Sequence, residues 1–197
     1  MNFATKLQAD LEARPLNVSA LEHGLQLVLN TSESMPLIAE FGVFSGTSLR
    51  IIKSRIPRAI VCGFDSFRGL PEDWRAGYPK GAFSSNNAIP PIDDGVVIWK
   101  GMFDETLPQF KALLGKKKID LIHIDCDLYT STKAVFDALH ENIRNGTVLV
   151  FDELLNYPGY ENHEIRALDE FMQSRPRKKL IPIGMEVGKE QAVIQIV

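Results

Sequence analysis

Short apolar runs and longer amphipathic segments alternate along the 197 residues of this chain. Apolar runs bounded by polar residues predict seven strands, over 36–42, 59–65, 95–99, 119–125, 147–151, 179–185 and 191–197. Apolar residues at helical spacing predict helices over 16–30, 47–55, 105–114, 131–142 and 163–174. This alternation indicates an α/β fold with a doubly wound, mostly parallel, seven-stranded sheet between two helical layers. The short segment 186–190 predicts a hairpin, and therefore one antiparallel strand.

The whole chain, 1–197, is predicted to form one domain, with a helical segment over 1–35 before the first strand. One segment, 68–92, breaks the alternation with four prolines and several glycines, serines and asparagines. Connections of this length usually act as lids or binding loops, or are disordered. Because Trp74, Tyr78 and Phe83 are too apolar for a solvated linker, we predict a lid; a packed structural loop is the alternative.

Composition narrows the classes of partner. The net charge of −3 gives no argument for nucleic acid or anionic membranes. No run approaches the roughly 20 apolar residues of a spanning helix, and the first residues do not resemble a signal peptide. Cys62 and Cys126 lie inside apolar runs, which predicts free thiols in a reducing, cytoplasmic compartment. The expected partner is a small molecule, and a homo-oligomer is left open.

Acidic residues end two of the predicted strands. Asp125 and Asp127 close one, and Asp152 and Glu153 close the next along the chain. Neighbouring parallel strands lie about 4.8 Å apart, so Asp125, Asp152 and Glu153 are expected to reach one point. Unpaired carboxylates there would repel one another and lose hydration, and Mg²⁺ prefers oxygen ligands. The pattern therefore predicts a Mg²⁺ site, or a site for another divalent cation.

Two further residues near these strand ends are candidates for proton transfer. Asp127 would remain free to act as a general base beside the metal; its alternative role is the N-cap of the following helix. His163 begins a helix after the loop 155–162, and could meet the substrate at the same edge or cap its helix. His123 lies inside a strand and is predicted to be a core residue.

The segment from Glu40 to Ser48 forms a glycine-containing turn after the first strand. It lacks the glycine spacing of dinucleotide-binding loops and the Gly-Lys-Ser/Thr of a P-loop, which disfavours NAD, FAD and ATP. S-adenosylmethionine, which has no phosphates, demands less of such a loop, although an ordinary turn explains it equally well. Asp65 ends the second strand and could accept hydrogen bonds from ribose hydroxyls; a turn formed with Ser66 is the alternative.

Taken together, these segments resemble the class I S-adenosylmethionine-dependent methyltransferases, and among them the metal-dependent, macrocin O-methyltransferase-like family that acts on sugars. The similar blocks are Glu40-Phe-Gly-Val-Phe-Ser-Gly-Thr-Ser48, Gly63-Phe-Asp-Ser-Phe-Arg-Gly-Leu-Pro-Glu72, Lys80-Gly-Ala-Phe83, Gly101-Met-Phe-Asp-Glu-Thr-Leu-Pro108, His123-Ile-Asp-Cys-Asp-Leu-Tyr129 and Asp152-Glu-Leu-Leu-Asn-Tyr-Pro-Gly159 followed by His163-Glu164.

The resemblance implies roles for individual residues. Cofactor contacts would come from Glu40, Gly42, Ser48, Asp65, Ser66, Gly101 and Asp125. Asp125, Asp152 and Glu153 would hold the metal, and Asp127, with His163 as the second candidate, would be the base. Family members often have an aspartate where Glu153 stands, and the longer arm of a glutamate would shift the metal.

The expected function is a divalent-metal-dependent O-methyltransferase that uses S-adenosylmethionine and acts on a hydroxyl of a sugar or glycosylated natural product. The fold implied is the Rossmann-like, three-layer fold of class I methyltransferases. Two alternatives remain: a catechol- or phenol-type O-methyltransferase, and a non-catalytic module that binds the cofactor or a metal.

Overall fold

The computed structural model describes residues 2–31, 35–92 and 94–197. Residue 1 and residues 32–34 of the predicted N-terminal helical segment lie outside the described residues. The helices are α1 (Phe3–Glu12), α2 (Ala20–Thr31), α3 (Thr47–Arg55), α4 (Phe103–Leu114), α5 (Tyr129–Leu139) and α6 (Glu164–Gln173), with a 3₁₀ turn at Tyr160–Asn162. The strands are β1 (Pro15–Leu16), β2 (Leu37–Phe41), β3 (Ile60–Asp65), β4 (Val96–Lys100), β5 (Leu121–Ile124), β6 (Val148–Phe151), β7 (Leu180–Glu186) and β8 (Ala192–Ile196).

These strands form one sheet in the order β1-β7-β8-β6-β5-β2-β3-β4. Only β8 runs against its neighbours, so the predicted doubly wound, mostly parallel α/β fold with one antiparallel strand is confirmed. The described residues contain eight strands instead of seven because β1 adds a two-residue pairing beside β7. A strand this short carries no alternation that a sequence could reveal.

Helices cover both faces of the sheet, which gives the predicted three layers. Along β6, Leu149 and Phe151 enter the core beneath α1, α4, α5 and α6, whereas Val148 and Val150 enter the core beneath α2 and α3. Every residue of β6 is therefore buried, as expected for a parallel strand covered on both faces. This explains why the strand sequences are apolar throughout instead of alternating.

The register of three central strands places their carboxyl ends at one edge. Phe41, Ile124 and Phe151 are paired across β2, β5 and β6. The residues that follow continue this pairing, since the Asp125 N–H donates to the Phe41 carbonyl and the Asp152 N–H to the Ile124 carbonyl. The chain leaves β2 towards β3 on one side, while β5 lies on the other. Open parallel sheets bind ligands at such a reversal of strand order.

The segment 68–92 folds over this edge in a series of turns. Its inner part packs through Leu70 and Trp74 against Leu128 and Tyr157, which together form a small third core. Its outer part is more exposed, with Ile89 48% accessible. Among the described residues, none of the helices has the length and hydropathy needed to span a membrane.

Candidate active site

Gly42 brings the turn after β2 against the end of β5. Its φ is +95°, a conformation that favours glycine, and a Cβ placed on it would lie 1.7 Å from the Asp125 carbonyl oxygen. Any side chain at this position would therefore displace the backbone that carries Asp125. The glycine predicted from sequence for a sharp turn is required here by this close approach.

Asp65 links the turn after β2 to the turn after β3. Its Oδ2 accepts hydrogen bonds from the backbone N–H groups of Val43 and Phe44, both at 2.8 Å, and its Oδ1 accepts one from Phe67 at 2.7 Å. A carboxylate offers about four acceptor positions, so roughly one remains for a ligand. Asp65 therefore organises the loop as well as facing the cleft. The Ser66 hydroxyl accepts from the Arg68 N–H in the same turn.

Several side-chain-bearing residues around this edge have left-handed backbone conformations. Phe44, Phe83 and Asp127 have φ values of +46°, +62° and +64°. Such residues carry strain and are concentrated at ligand clamps and active sites. The rings of Phe44 and Phe83 meet edge to face, with centroids 5.8 Å apart, and so connect the glycine turn to segment 68–92.

An open cleft of about 890 Å³ lies between this turn, the strand ends and segment 68–92. The predicted residues that line it are Gly42, Asp65, Ser66, Asp125, Asp127, Asp152 and Glu153. A second cleft of about 860 Å³ adjoins it and shares Phe44, Asp125 and Asp152. Ser48 and His123 line this second cleft. The structure thus gathers nine residues of the sequence argument around two adjoining clefts.

Three predicted residues lie elsewhere. Glu40 is completely buried, and its Oε2 is 2.9 Å from Nδ1 of His123 on the adjacent strand. Gly101 lines neither cleft; its N–H donates to the Asp65 carbonyl and so helps to place the end of β3. His163 also lines neither cleft, and its ring packs beside those of Trp74 and Tyr157.

Asp125, Asp127 and Glu153 each present a carboxylate oxygen, and these atoms lie within 4.8 Å of one another. The predicted metal set contained Asp152 in place of Asp127. Asp152 remains adjacent, where its Oδ1 accepts a hydrogen bond from Gln191 at 3.3 Å. Asp127 joins the group because its left-handed backbone turns the chain immediately after β5. Leu128, not Asp127, occupies the N-cap position of α5, and no side chain caps that helix.

Burial and mutual repulsion hold these carboxyls towards their protonated forms. Burial, followed by the charges of Asp152 and Asp125, raises the pKa of Glu153 to about 12. Burial also raises the pKa of Asp127 to about 6 and that of Asp125 well above its usual value. The buried Oε2 of Glu153 has no hydrogen-bond partner among the described residues. A cluster of this kind has the oxygen ligands, and the uncompensated negative charge, that suit a hard divalent cation.

In the neighbouring Glu40–His123 pair the protonated form is also favoured, but in a histidine that form carries a positive charge. Burial alone would lower the pKa of His123, but its hydrogen bond to Glu40 and the negative charge of that carboxylate outweigh burial and raise the pKa to about 9. His123 is therefore a buried, hydrogen-bonded core residue, as the sequence predicted. Its imidazole adds positive charge behind Asp125.

Two functional-site features escaped the sequence analysis. Glu164 begins α6 but is completely buried, and neither carboxylate oxygen has a well-aligned hydrogen-bond partner among the described residues. Burial, followed by the charge of Asp127, raises its pKa well above the usual value. Arg75 contacts three aromatic rings beside the cleft. An acid at a helix start and an arginine in a loop both look solvent-exposed in sequence, so neither carries a signal by itself.

Comparisons with known proteins agree with this geometry. A family model described as a methyltransferase domain matches residues 39–154, which include the glycine turn and the acids that end β5 and β6. No curated protein gives a significant match.

Many solved structures share the fold. The apo structure of CalS11, described as a TDP-rhamnose 3′-O-methyltransferase of calicheamicin biosynthesis, is 24% identical; the alignment covers 89% of this chain and 77% of that one, with a TM-score of 0.61. The O-methyltransferase NovP is 23% identical over 89% of this chain and 78% of that one, with a TM-score of 0.64. An O-methyltransferase from Bacillus cereus in complex with SAH is 19% identical over 98% and 90%, with a TM-score of 0.58. At these identities the likeness shows the fold.

Proposed function

Because the chain belongs to the methyltransferase-domain family matched over residues 39–154, we propose that it transfers a methyl group from S-adenosylmethionine to a hydroxyl of a sugar or glycosylated natural product, with the help of Mg²⁺. The single observation that carries this proposal is the carboxylate group of Asp125, Asp127 and Glu153, which shares one cleft with the glycine turn. CalS11, described as a TDP-rhamnose 3′-O-methyltransferase, supports a sugar acceptor, and the O-methyltransferase NovP supports methyl transfer to oxygen.

The cofactor would lie across the carboxyl ends of β2 and β3. Asp65 has about one free acceptor position for a ribose hydroxyl, and Ser66 lines the same cleft. Gly42 lines this cleft and lets the turn pack directly against the Asp125 carbonyl, and Ser48 lines the adjoining cleft. Glu40 and Gly101 would act indirectly, because one is buried under the turn and the other supports Asp65.

Asp125, Asp127 and Glu153 fit a divalent cation, and Asp152 stands close enough to contribute negative charge. The unpaired Glu153 oxygen is the strongest sign of this fit, since buried polar atoms in proteins nearly always have a partner. A bound dication supplies Lewis acidity, which lowers the pKa of a hydroxyl ligand.

Asp127 would receive the proton that the acceptor hydroxyl must lose, because it lines the same cleft as the other acids. Burial raises the pKa of its carboxyl group to about 6 in the metal-free protein, and a carboxylate that is more basic than usual is a better proton acceptor. The walls of the cleft orient the acceptor and limit access of water, and such positioning supplies much of the rate in a group transfer. His163 would serve as base only if Trp74 or Tyr157 moved, because it lines neither cleft.

A phenolic acceptor is the second candidate. The rings of Phe44 and Phe83 line the cleft, and planar aromatic molecules stack well on such rings.

We also propose that the protein is cytoplasmic, since Cys62 and Cys126 are both free and buried.

The direct test is methyl transfer to a panel of nucleotide-linked sugars, glycosides and catechols, measured by release of S-adenosylhomocysteine. We expect turnover of a glycosyl hydroxyl that EDTA abolishes and Mg²⁺ restores. Transfer that is insensitive to EDTA would contradict the metal. Exclusive transfer to catechols would favour the second candidate, and cofactor binding without transfer to any acceptor would indicate a binding module.

The raised pKa of Glu153 also leads to a prediction of how the stability of the metal-free protein depends on pH. The pKa of Glu153 rises on folding from an ordinary value near 4.5, so folding binds protons and metal-free stability should fall as pH rises above about 4.5. One such carboxyl corresponds to about 3 °C of melting temperature per pH unit. We expect this decline between pH 5 and pH 8 in EDTA, with Mg²⁺ reversing it most strongly at pH 8. Differential scanning calorimetry checks both points. The Glu153→Gln variant should show a shallower decline; a slope equal to wild type would exclude Glu153 as its cause.

A further inference from the structure

Arg75 occupies an aromatic cage on segment 68–92. Its guanidinium carbon lies 4.0 Å from the ring centroid of Trp74, 4.5 Å from that of Tyr157 and 5.3 Å from that of Tyr78. Its Nη1 is 2.9 Å from both carboxylate oxygens of Glu190, in the β7–β8 connection. The two side chains are only 22% and 26% exposed. Cation–π contacts and charge-assisted hydrogen bonds strengthen when they are partly desolvated, so this is a firm attachment.

Glu190 holds a second segment at the same time. Its backbone carbonyl accepts hydrogen bonds from the N–H groups of Leu154 and Leu155, which directly follow Asp152 and Glu153. Adjacent residues reinforce this contact, because the Asn156 amide donates to the Lys189 carbonyl at 2.8 Å. The β7–β8 connection is therefore hydrogen-bonded to the loop that follows Asp152 and Glu153.

Contacts within segment 68–92 link Arg75 to the loops beside the carboxylates. Around Arg75 the backbone closes a turn in which the Trp74 N–H donates to the Tyr78 carbonyl and the Tyr78 N–H donates to the Arg75 carbonyl, and Trp74 is buried in the third core. Glu72 accepts a hydrogen bond from Thr130 at the start of α5, just beyond Asp127. A displacement of Arg75 would thus disturb contacts to the loops on both sides of the carboxylate group.

We propose that Arg75 and Glu190 are positioning residues that couple the placement of segment 68–92 to the geometry of the carboxylate site at Asp125, Asp127 and Glu153. Neither residue touches the reacting groups. Coupling of this kind is reciprocal. A ligand that fixes the positions of the carboxylates would therefore also stabilise segment 68–92 in the arrangement described here.

The sign of one measurement separates coupling from a plain charge effect. Arg75 is a cation close to these acids: its charge opposes the rise that burial causes in the pKa of Asp127. Burial lowers the pKa of Arg75, and the hydrogen bond and charge of Glu190, followed by the charge of Glu153, raise it. If it acted by charge alone, its removal would strengthen the binding of a dication. If it acts by positioning, its removal should weaken that binding.

The test compares Arg75→Gln with Arg166→Gln. Arg166 is a matched control on α6, because it too pairs with a carboxylate, that of Glu170 at 3.1 Å, and lies over a ring, that of Tyr129 at 4.2 Å, and both of these partners are outside segment 68–92. Amide hydrogen exchange of the ligand-free proteins is the first readout. In Arg75→Gln we expect faster exchange at Trp74 and Tyr78 and also at Leu154 and Leu155; acceleration confined to Trp74 and Tyr78 would overturn the coupling. Arg166→Gln should change neither pair.

Calorimetry with Mg²⁺ is the second readout, and it alone rests on the proposed function. We expect Arg75→Gln to bind Mg²⁺ at least about fivefold more weakly, the lower end of typical coupling between sites, with Arg166→Gln unchanged. Unchanged or tighter binding in Arg75→Gln would overturn the proposal. A wild-type protein that binds no Mg²⁺ would refute the metal of the proposed function, and the exchange result would still decide the coupling.

Two more variants complete the design. If Arg75→Gln does not fold, Arg75→Lys replaces it, since lysine keeps the charge but loses the planar group that stacks and bonds twice. The Arg75→Gln/Glu190→Gln double variant should be no more affected than Arg75→Gln alone, because the two residues act through one contact. Additive effects in that cycle would mean that the two residues act independently.

Discussion

The Asp127→Asn protein should transfer methyl groups about 10²–10⁴-fold more slowly than the wild type, because an amide cannot accept the proton of the acceptor hydroxyl. Its fold should survive. Asparagine tolerates the left-handed backbone at φ +64° at least as well as aspartate does. The side chain caps no helix, so no cap is lost. Single-turnover kinetics with saturating cofactor and acceptor measure the chemical step.

Metal affinity of the same variant decides between two roles for Asp127. Its carboxylate lies within 4.8 Å of those of Asp125 and Glu153, so it stands close enough to be a ligand as well as a base. Loss of turnover with Mg²⁺ affinity retained indicates a base, and loss of both indicates a ligand. Full activity would remove Asp127 from the chemistry. Asp137→Asn, on the exposed face of α5, is the matched control and should leave both quantities unchanged.

The Asp65→Ala protein should lose cofactor affinity and stability together. The substitution removes the partner of three backbone N–H groups, at Val43, Phe44 and Phe67. These donors are part-buried or exposed, so each lost partner costs at most the low end of about 1–3 kcal/mol, and the glycine turn also loses the contact that fixes it to the end of β3. We expect S-adenosylmethionine to bind more than about a hundredfold more weakly. Calorimetry of cofactor binding and thermal unfolding are the measurements.

Asp65→Asn separates the two contributions. An amide can still accept at one oxygen, so it should recover part of the stability lost in Asp65→Ala, whereas its NH₂ group opposes the N–H donors that Oδ2 now accepts. Cofactor affinity that is unchanged in a folded Asp65→Ala protein would exclude Asp65 from the binding site. Normal stability in Asp65→Ala would show that the three hydrogen bonds do not hold the turn.

Most of the fold follows from local pattern. The predicted helix over 47–55 coincides with α3, and the predicted strands at 36–42 and 147–151 differ from β2 and β6 by one or two residues at their ends. These elements are long enough, or buried enough, that the pattern of their apolar residues predicts them. By contrast, β1 exists only because two residues of the chain pair with β7, which no local pattern specifies.

The site was predictable to a lesser degree. The glycines and acids at the strand ends predicted the position of the cleft, because the carboxyl ends of parallel strands meet at one edge of the sheet. Sequence could not show that Glu40 is buried and hydrogen-bonded to His123, or that Asp65 accepts hydrogen bonds from three backbone N–H groups. Glu40 and His123 lie 83 residues apart, and two of the three N–H donors to Asp65, at Val43 and Phe44, lie 22 and 21 residues away from it along the chain.

The sequence by itself determined the order of helices and strands, the methyltransferase family and the presence of acids at one edge of the sheet. Only the tertiary structure decided which acids converge. That outcome depends on the register of β5 against β6 and on the left-handed backbone at Asp127, which together bring Asp127 beside Asp125 and Glu153. The attachment of Arg75 to Glu190 is of the same kind, since its two residues are 115 positions apart. Hydrophobic periodicity records how each segment meets the core, but it holds no information about the distances between polar side chains that different segments carry.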